Sequence, residues 1–389
     1  MSRPRTVLSV KEHRPKRIAH ISFGLLSGPD MVRLSHLNIH KNNMYVMNSF
    51  NPAAFGCLDP RLGVSDKHSV CETCKKKLQE CTGHFGYVKM ELPVFHIGYF
   101  KALQNVLQNI CKACARILVH GDERHAFLRH LRNPKADSLM RMELRKRVTE
   151  KCKRVHTCPH CGAKNGTIKK ITNAGFNSLR LIHERFKKQA ERDAAFLVLE
   201  HDLASAIDGD KDLVAHVRKA QDDLTPLKVL ELLRRIPSED LALLWSDGKM
   251  SHPARMILTH LLCPPVAIRP SVKMEGGSGS TEDDLTLKLQ EIVHINNALK
   301  QKLSNGAPMK LVTEDWDFLQ VQARGRLHYM FTATTLAMHH SPLIAFLLNV
   351  LIPLAISPAA RLRNTLTANS RVFQPPCGRK NLSVGLCSD

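Results

Sequence analysis

Two sets of paired cysteines constrain this chain more than any other feature of its 389 residues. The first is Cys71-Glu-Thr-Cys74, followed after six intervening residues by Cys81-Thr-Gly-His84. A two-residue gap lets one tight turn aim both ligands at a single ion, and two such turns complete the tetrahedron that Zn²⁺ prefers. Three thiolates and one imidazole fill that tetrahedron and leave no position for water, so the expected site is structural rather than hydrolytic. Lys75, Lys76 and Lys77 lie between the pairs and offset the net negative charge of three thiolates on one Zn²⁺. The second set is Cys111-Lys-Ala-Cys114 with Cys158-Pro-His-Cys161, again two Cys-x-x-Cys turns, here separated by a helical excursion and predicted to share a second Zn²⁺. Cys152 and His160 compete as ligands there. Gly162 favours the Cys158/Cys161 turn, because glycine lets backbone amides approach the second sulfur. Cys57, Cys263, Cys377 and Cys387 show no chelating spacing and read as ordinary buried or incidental thiols.

The chain begins without an apolar core of signal-peptide length before His20, so an intracellular, reducing compartment is expected. There, twelve cysteines serve metals or buried positions rather than a disulfide framework. Lys plus Arg number 57 against 35 Asp plus Glu, a net charge of +22. A surplus of that size favours polyanions, with nucleic acid the first partner to consider and a solvated basic surface or polybasic membrane patch as the plainer readings. The single membrane-like run, Leu343 to Ile356, is short for a bilayer span and is interrupted by Asn349 and Pro353, so no membrane partner is expected.

Residues 18 to 98 are rich in turn residues and short apolar runs, the pattern of loops and small strands pinned by metal. From Pro93 onward Phe95, Tyr99, Leu103, Val106 and Ile110 step along one helical face and lead into Cys111. Further helices are predicted at about 122 to 150, 173 to 206 and 225 to 236, the last with Thr225 as cap and Pro226 at its first position. Met274 to Ser280 reads as a flexible link, and a helix from Thr281 carries Leu285, Leu289, Ile292 and Leu299 along one stripe. The fold class is α+β, mostly helical, with small β elements at the zinc-rich beginning, and the length favours two or more modules.

Around these sites stand longer phrases: Phe55-Gly-Cys-Leu-Asp-Pro-Arg-Leu-Gly63, Cys81-Thr-Gly-His-Phe-Gly-Tyr87, Pro93-Val-Phe-His-Ile-Gly98, Pro264-Pro-Val-Ala-Ile-Arg-Pro-Ser271, Asp283-Asp-Leu-Thr-Leu-Lys-Leu289 and Ile295-Asn-Asn297. In this order they resemble the opening of the largest subunit of multisubunit DNA-directed RNA polymerases, the beta-prime family, over roughly residues 14 to 322. Ile21-Ser-Phe-Gly-Leu-Leu26, Glu91-Leu-Pro-Val-Phe-His-Ile-Gly-Tyr-Phe-Lys101 and Cys158-Pro-His-Cys-Gly-Ala163 are most similar to the polymerase III form. The resemblance implies a clamp core with the first zinc over residues 1–92, a helical clamp head with the second over 93–236, a return segment of the clamp core over 237–323, and a divergent tail over 324–389. It also implies a nuclear protein that grips DNA and the RNA–DNA hybrid during transcription of small RNAs, in company with other polymerase subunits including the second-largest.

Arg269 beside the proline-rich turn, and Lys300 and Lys302 after the helix, are the expected nucleic-acid contacts. Cations aimed at phosphates suit a polymerase, which must hold every sequence. The family's Asn-Ala-Asp-Phe-Asp-Gly-Asp motif, which holds Mg²⁺ for nucleotidyl transfer, is absent. No catalytic residue is therefore assigned, Mg²⁺ belongs to the complete enzyme, and this chain alone is expected to be inactive. The nearest imitations, Asp208-Gly-Asp210-Lys-Asp212 and Asp315-Trp-Asp317, read as a solvated turn and a helix start. The alternative function is a stand-alone zinc-containing nucleic-acid-binding or scaffold protein. A zinc hydrolase is disfavoured, because protein ligands fill both shells.

Overall fold

The computed structural model describes residues 25–47, 49, 51–133, 136–171, 179–186, 189–202, 221–245, 252–273 and 280–337. Its strands are β1 (Leu37–Asn38), β2 (Gly86–Phe95), β3 (Thr167–Ile171), β4 (Arg180–Glu184), β5 (Gln221–Asp223), β6 (Ile257–Cys263), β7 (Val272–Lys273) and β8 (Ser280–Thr281). Its helices are α1 (Gly28–Leu34), α2 (Phe100–Asn109), α3 (Gly121–Leu131), α4 (Ser138–Arg154), α5 (Gln189–Asp202), α6 (Pro226–Arg234), α7 (Leu241–Leu244), α8 (Asp284–Ser304) and α9 (Met309–Ala337). This mixture of helices and small sheets is the α+β class read from the sequence.

Strand β2 organises the rest. It lies between β1, which runs parallel to it, and β6, which runs antiparallel. Alternate residues of a strand point to opposite faces, and here neighbouring residues serve different cores. Val94 packs with Ile39, Leu62, Leu261, Leu289, Ile292 and Leu299, while Phe95 packs with Leu103, Leu107, Ile110, Ile117, Leu181 and Leu233. Between Lys89 and Val94 the β2–β6 register shifts, which frees backbone groups that must find other partners. Side chains of α8 and α9 supply them. Asn296 accepts from Glu91 N–H at 2.9 Å and donates to the Lys89 carbonyl at 3.0 Å. Trp316 Nε1 donates to the Pro93 carbonyl at 2.8 Å. Gln320 accepts from Phe95 N–H at 2.7 Å and donates to the Phe95 carbonyl at 2.9 Å.

The stripe predicted from Phe95 to Ile110 is buried throughout, but Phe95 closes β2 and a 3₁₀ turn, Ile97–Tyr99, precedes α2, so the helix starts later than predicted; α6 starts with Thr225 accepting from Lys228 N–H and Pro226 at the first position. Leu285, Leu289, Ile292 and Leu299 form the buried side of α8. Two helix predictions are corrected. The span 122 to 150 is two helices, α3 and α4, and the sequence between them contains Pro134, which cannot continue a helix. The span 173 to 206 contains strand β4, paired with β3 and β5, before α5 begins. Leu181 and His183 of β4 are buried while their neighbours are less so, a period of two that tertiary pairing imposes on residues with no strong helical stripe. Most of the predicted link lies outside the described residues, and its flanks pair as the β7–β8 ladder. Asp208 to Asp212 and Leu343 to Ile356 also lie outside them. Helix α9 runs unbroken across residues 323 and 324, where the resemblance to the family was expected to end.

Candidate metal centres

Three turns of one design present cysteines. In each, the amide of the first cysteine and its carbonyl both bond back across the turn. Cys71 N–H donates to the Lys76 carbonyl and Lys75 N–H to the Cys71 carbonyl; Cys111 pairs likewise with Arg116 and Ala115, and Cys158 with Ala163 and Gly162. The residue after the second cysteine is left-handed in all three, with φ of 58° at Lys75, 61° at Ala115 and 72° at Gly162. Only glycine adopts that region without steric cost, so Lys75 and Ala115 are held there by the turn's bonds. The turn leaves amides pointing at sulfur: Ala113 N–H donates to Cys111 Sγ and His160 N–H to Cys158 Sγ, each at 3.4 Å. Cys81 and His84 come from a looser bend in which Gly83 has φ 84° and abuts Pro265; a Cβ there would lie 2.4 Å from the proline's.

The ligand atoms of Cys71, Cys74, Cys81 and His84 all lie within 4.8 Å of one another, as do those of Cys111, Cys114, Cys158 and Cys161. In the second cluster Cys111 Sγ is 3.6 Å from Cys161 Sγ, and Cys114 Sγ is 3.7 Å from Cys158 Sγ. A tetrahedron with Zn–S bonds of about 2.3 Å has edges of about 3.8 Å, so these separations fit one shared ion and are far too long for disulfides. Both donor sets could hold zinc. Cys152 and His160 stand outside the cluster: Cys152 is a free, wholly buried thiol that burial pushes up to about 12, and His160 contributes its amide.

Proton affinities within the clusters are split. A hydrogen bond from His84 draws Cys74 down to about 6, while burial pushes Cys81 up to about 11. Burial opposes ionisation of Cys111, but amide donors from Cys114 and Ala113 and the side chain of Asn165 outweigh it and hold that thiol at about 7. Burial pushes Cys114 up to about 12 and raises Cys158 as well. Four ligands sharing so small a volume cannot all ionise without a cation, and a divalent ion deprotonates coordinating thiols outright.

The expected nucleic-acid contacts fare differently. Arg269 is corrected: its side chain is 0% exposed. Its guanidinium donates to the Pro264 carbonyl at 3.2 Å, Thr286 Oγ1 at 3.0 Å, the Cys57 carbonyl, and Cys263 Sγ at 3.5 Å. The Pro264-Pro265 turn and the 3₁₀ turn Val266–Ile268 carry it inward, where it ties three separate segments together. Cys57 and Cys263 thereby acquire a structural setting that their spacing did not reveal. Lys302 is ion-paired with Asp315 at 2.7 Å, and Asp317 is paired with Arg180. Lys300 remains open to solvent, with Glu91 3.7 Å away. Lys75, Lys76 and Lys77 are exposed.

Sequence reasoning missed Asn165, which is 2% exposed. Its Nδ2 donates to Cys111 Sγ at 3.4 Å and to the Ala163 carbonyl at 3.0 Å, and its Oδ1 accepts from Lys112 N–H at 3.2 Å. It bridges both turns of the second cluster, and no spacing rule marks such a residue.

The chain belongs to the family described as RNA polymerase Rpb1, domain 1, which matches residues 15–331. That match extends a few residues past the boundary drawn from the motifs. Among its relatives are the DNA-directed RNA polymerase III subunit rpc1 of Dictyostelium discoideum, 44% identical over 310 residues, and subunit RPC1 of Homo sapiens, 41% identical over 309. The alignments cover 80% and 79% of this chain but 21% and 22% of those relatives. The DNA-directed RNA polymerase subunit Rpo1N of Methanocaldococcus jannaschii is 34% identical over 307 residues, 79% of this chain and 20% of that subunit. The chain thus spans about a fifth of the length of the curated relatives it matches. The family resemblance and its polymerase III leaning, read from the motifs, are borne out. Among the described residues, no helix is long and apolar enough to cross a membrane.

Proposed function

We propose that this chain is a clamp portion of the largest subunit of a nuclear DNA-directed RNA polymerase of type III. In this reading it grips DNA and the RNA–DNA hybrid during transcription of small RNAs, beside the second-largest and other subunits. Nucleotidyl transfer belongs to the complete enzyme, where aspartates absent from this chain hold Mg²⁺. The observation that carries the reading is the family match across residues 15–331, and the polymerase III relatives support the subtype.

Cys71, Cys74, Cys81 and His84 would hold one zinc ion, and Cys111, Cys114, Cys158 and Cys161 a second. At the first site zinc would cross-link turns with little core of their own, where the small apolar cluster is Val64, Cys71 and Cys81; at the second, Cys111 and Cys158 belong to the larger core around Phe95. With both shells filled by protein atoms, neither site offers a position for hydrolysis. Residues 1–92 and 237–323 would make the clamp core, 93–236 the head, and 324–389 a divergent tail. The chain's own share of the work is non-specific binding through exposed cations such as Lys75 to Lys77 and Lys300.

Duplex-DNA affinity measured against salt tests this. The expected result is near-indifference to sequence and a double-logarithmic slope of several units, reduced when Lys75, Lys76 and Lys77 are changed to Gln. A flat salt response, or strong preference for one short sequence, would overturn the clamp reading.

A further inference from the structure

The two clusters differ in the charge they must carry. Three thiolates and an imidazole around Zn²⁺ sum to one negative charge, and four thiolates to two. The residue following the first cysteine differs in the same sense: Glu72, exposed, in the first cluster, and Lys112 in the second. Lys112 does not extend into water. Its ammonium nitrogen is buried and has no hydrogen-bond partner; burial opposes its charge, and the sulfurs whose ionisation would favour it are those of Cys111 and Cys152. Asn165 accepts from the Lys112 backbone N–H at 3.2 Å, and the Lys112 charge also bears on His183, whose Nδ1 lies 3.6 Å from Asp222. An unpaired buried ammonium costs several kcal/mol in isolation, so its position calls for a negative charge close by. Asp222 is already paired with Arg185 at 2.7 Å, and the cysteine cluster, to which the preceding residue Cys111 belongs, supplies one when its thiols ionise.

We infer that Lys112 is the internal counter-ion of the four-cysteine centre, and that Asn165, which ties the Lys112 amide to Cys111 Sγ, is its positioning partner. This rests on the reading that the cluster holds zinc. The ammonium offsets half of the centre's net charge from inside the protein, and Asn165 joins the Lys112 backbone N–H to the Cys111 sulfur. The first cluster needs no such residue: its charge is smaller, and exposed Lys75 to Lys77 stand around it.

The test uses the full chain and three variants: Lys112→Met, which keeps the length and removes the charge, Lys112→Arg, which keeps the charge, and Asn165→Ala. Zinc is titrated away with a chromophoric chelator, and Co²⁺ is then bound in its place to follow the thiolate charge-transfer band. K112M is expected to release the second zinc at about 10- to 100-fold lower chelator strength, the range for groups that support a metal's ligands, with the first zinc unmoved. K112R is expected to restore most of the affinity, and N165A to shift the charge-transfer band. Removing an uncompensated charge should also leave the metal-free K112M chain at least as heat-resistant as the metal-free parent. A structural role alone would weaken both forms together. Equal zinc retention in K112M and the parent, with two zinc ions bound in each, would overturn the inference while leaving the zinc reading intact. A parent chain that binds one zinc or none would overturn both.

Discussion

Replacing Arg269 with Met separates the two roles assigned to that residue, one from sequence and one from structure. The guanidinium donates to three buried acceptors, the carbonyls of Cys57 and Pro264 and the hydroxyl of Thr286, and the Pro264 carbonyl also takes the weak Cys263 thiol donor at 3.6 Å. Methionine fills similar volume and donates to none of them. Each acceptor left without a partner costs about 1–3 kcal/mol, and the low end for three gives about 3 kcal/mol. That is a large part of the about 5–15 kcal/mol that holds a domain folded. Lysine at the same position would keep the charge but replace a planar fork with one point donor, so R269K should lose about half as much. Urea unfolding of the zinc-loaded chain, followed by the fluorescence of Trp316, reads the effect, because Trp316 packs against the same core. Trp245 packs in the other core and is removed in the background as Trp245→Phe. DNA affinity is measured in parallel below the unfolding transition. An R269M chain that unfolds at the parental urea concentration but binds DNA with a shallower salt slope would refute the burial argument and restore Arg269 as a phosphate contact.

Two further outcomes follow from buried groups. Cys152→Ala should leave two zinc ions per chain by elemental analysis and cost about 1 kcal/mol in stability, whereas Cys158→Ser should leave one zinc ion. Burial holds His96 down at about 4, with its Nδ1 accepting from Gly98 N–H at 3.1 Å. The unfolded chain therefore binds a proton near pH 6.5 that the folded chain refuses until about pH 4. Stability contributed by neutral His96 is present above pH 6.5 and is lost as pH falls through that window, by up to about 1.4 kcal/mol per pH unit. His96→Asn, which can still accept from Gly98, should flatten that part of a stability–pH curve relative to the parent.

The metal clusters were legible because chelation is local: two residues between ligands is a property of one turn, and three such turns leave only the pairing open. The long separation between Cys114 and Cys158 weakened the signal for that pairing without hiding it, and the pairing is made by β3, α2 and Asn165 bringing two turns together. Helix α8 was legible because Leu285, Leu289, Ile292 and Leu299 repeat on one face. Strand β4 was not, since Arg180 to Glu184 becomes a strand through partners on β3 and β5 rather than through its own composition. Arg269 was misread for a related reason. A cation beside two prolines looks like a surface loop, and its inward course depends on acceptors at Cys57 and Thr286 that lie far away in sequence.

Phe95 and Ile257 face each other across the β2–β6 ladder, so the chain leaves this sheet at His96 and returns at Met256, beside its point of departure. For the core around Val94, that entire length is a single connection between neighbouring strands, no different in kind from a hairpin loop. The excursion can therefore lengthen, shorten or be exchanged for another without disturbing the register that holds β2 to β6. The register itself has no such freedom. A slip of one residue would turn Val94 toward the helices of the excursion and Phe95 toward α8, exchanging an aromatic ring for a small branched side chain in two interiors at once. One strand thus acts as the common gauge for two bodies, tolerant of what hangs from its end and intolerant of any shift along its length.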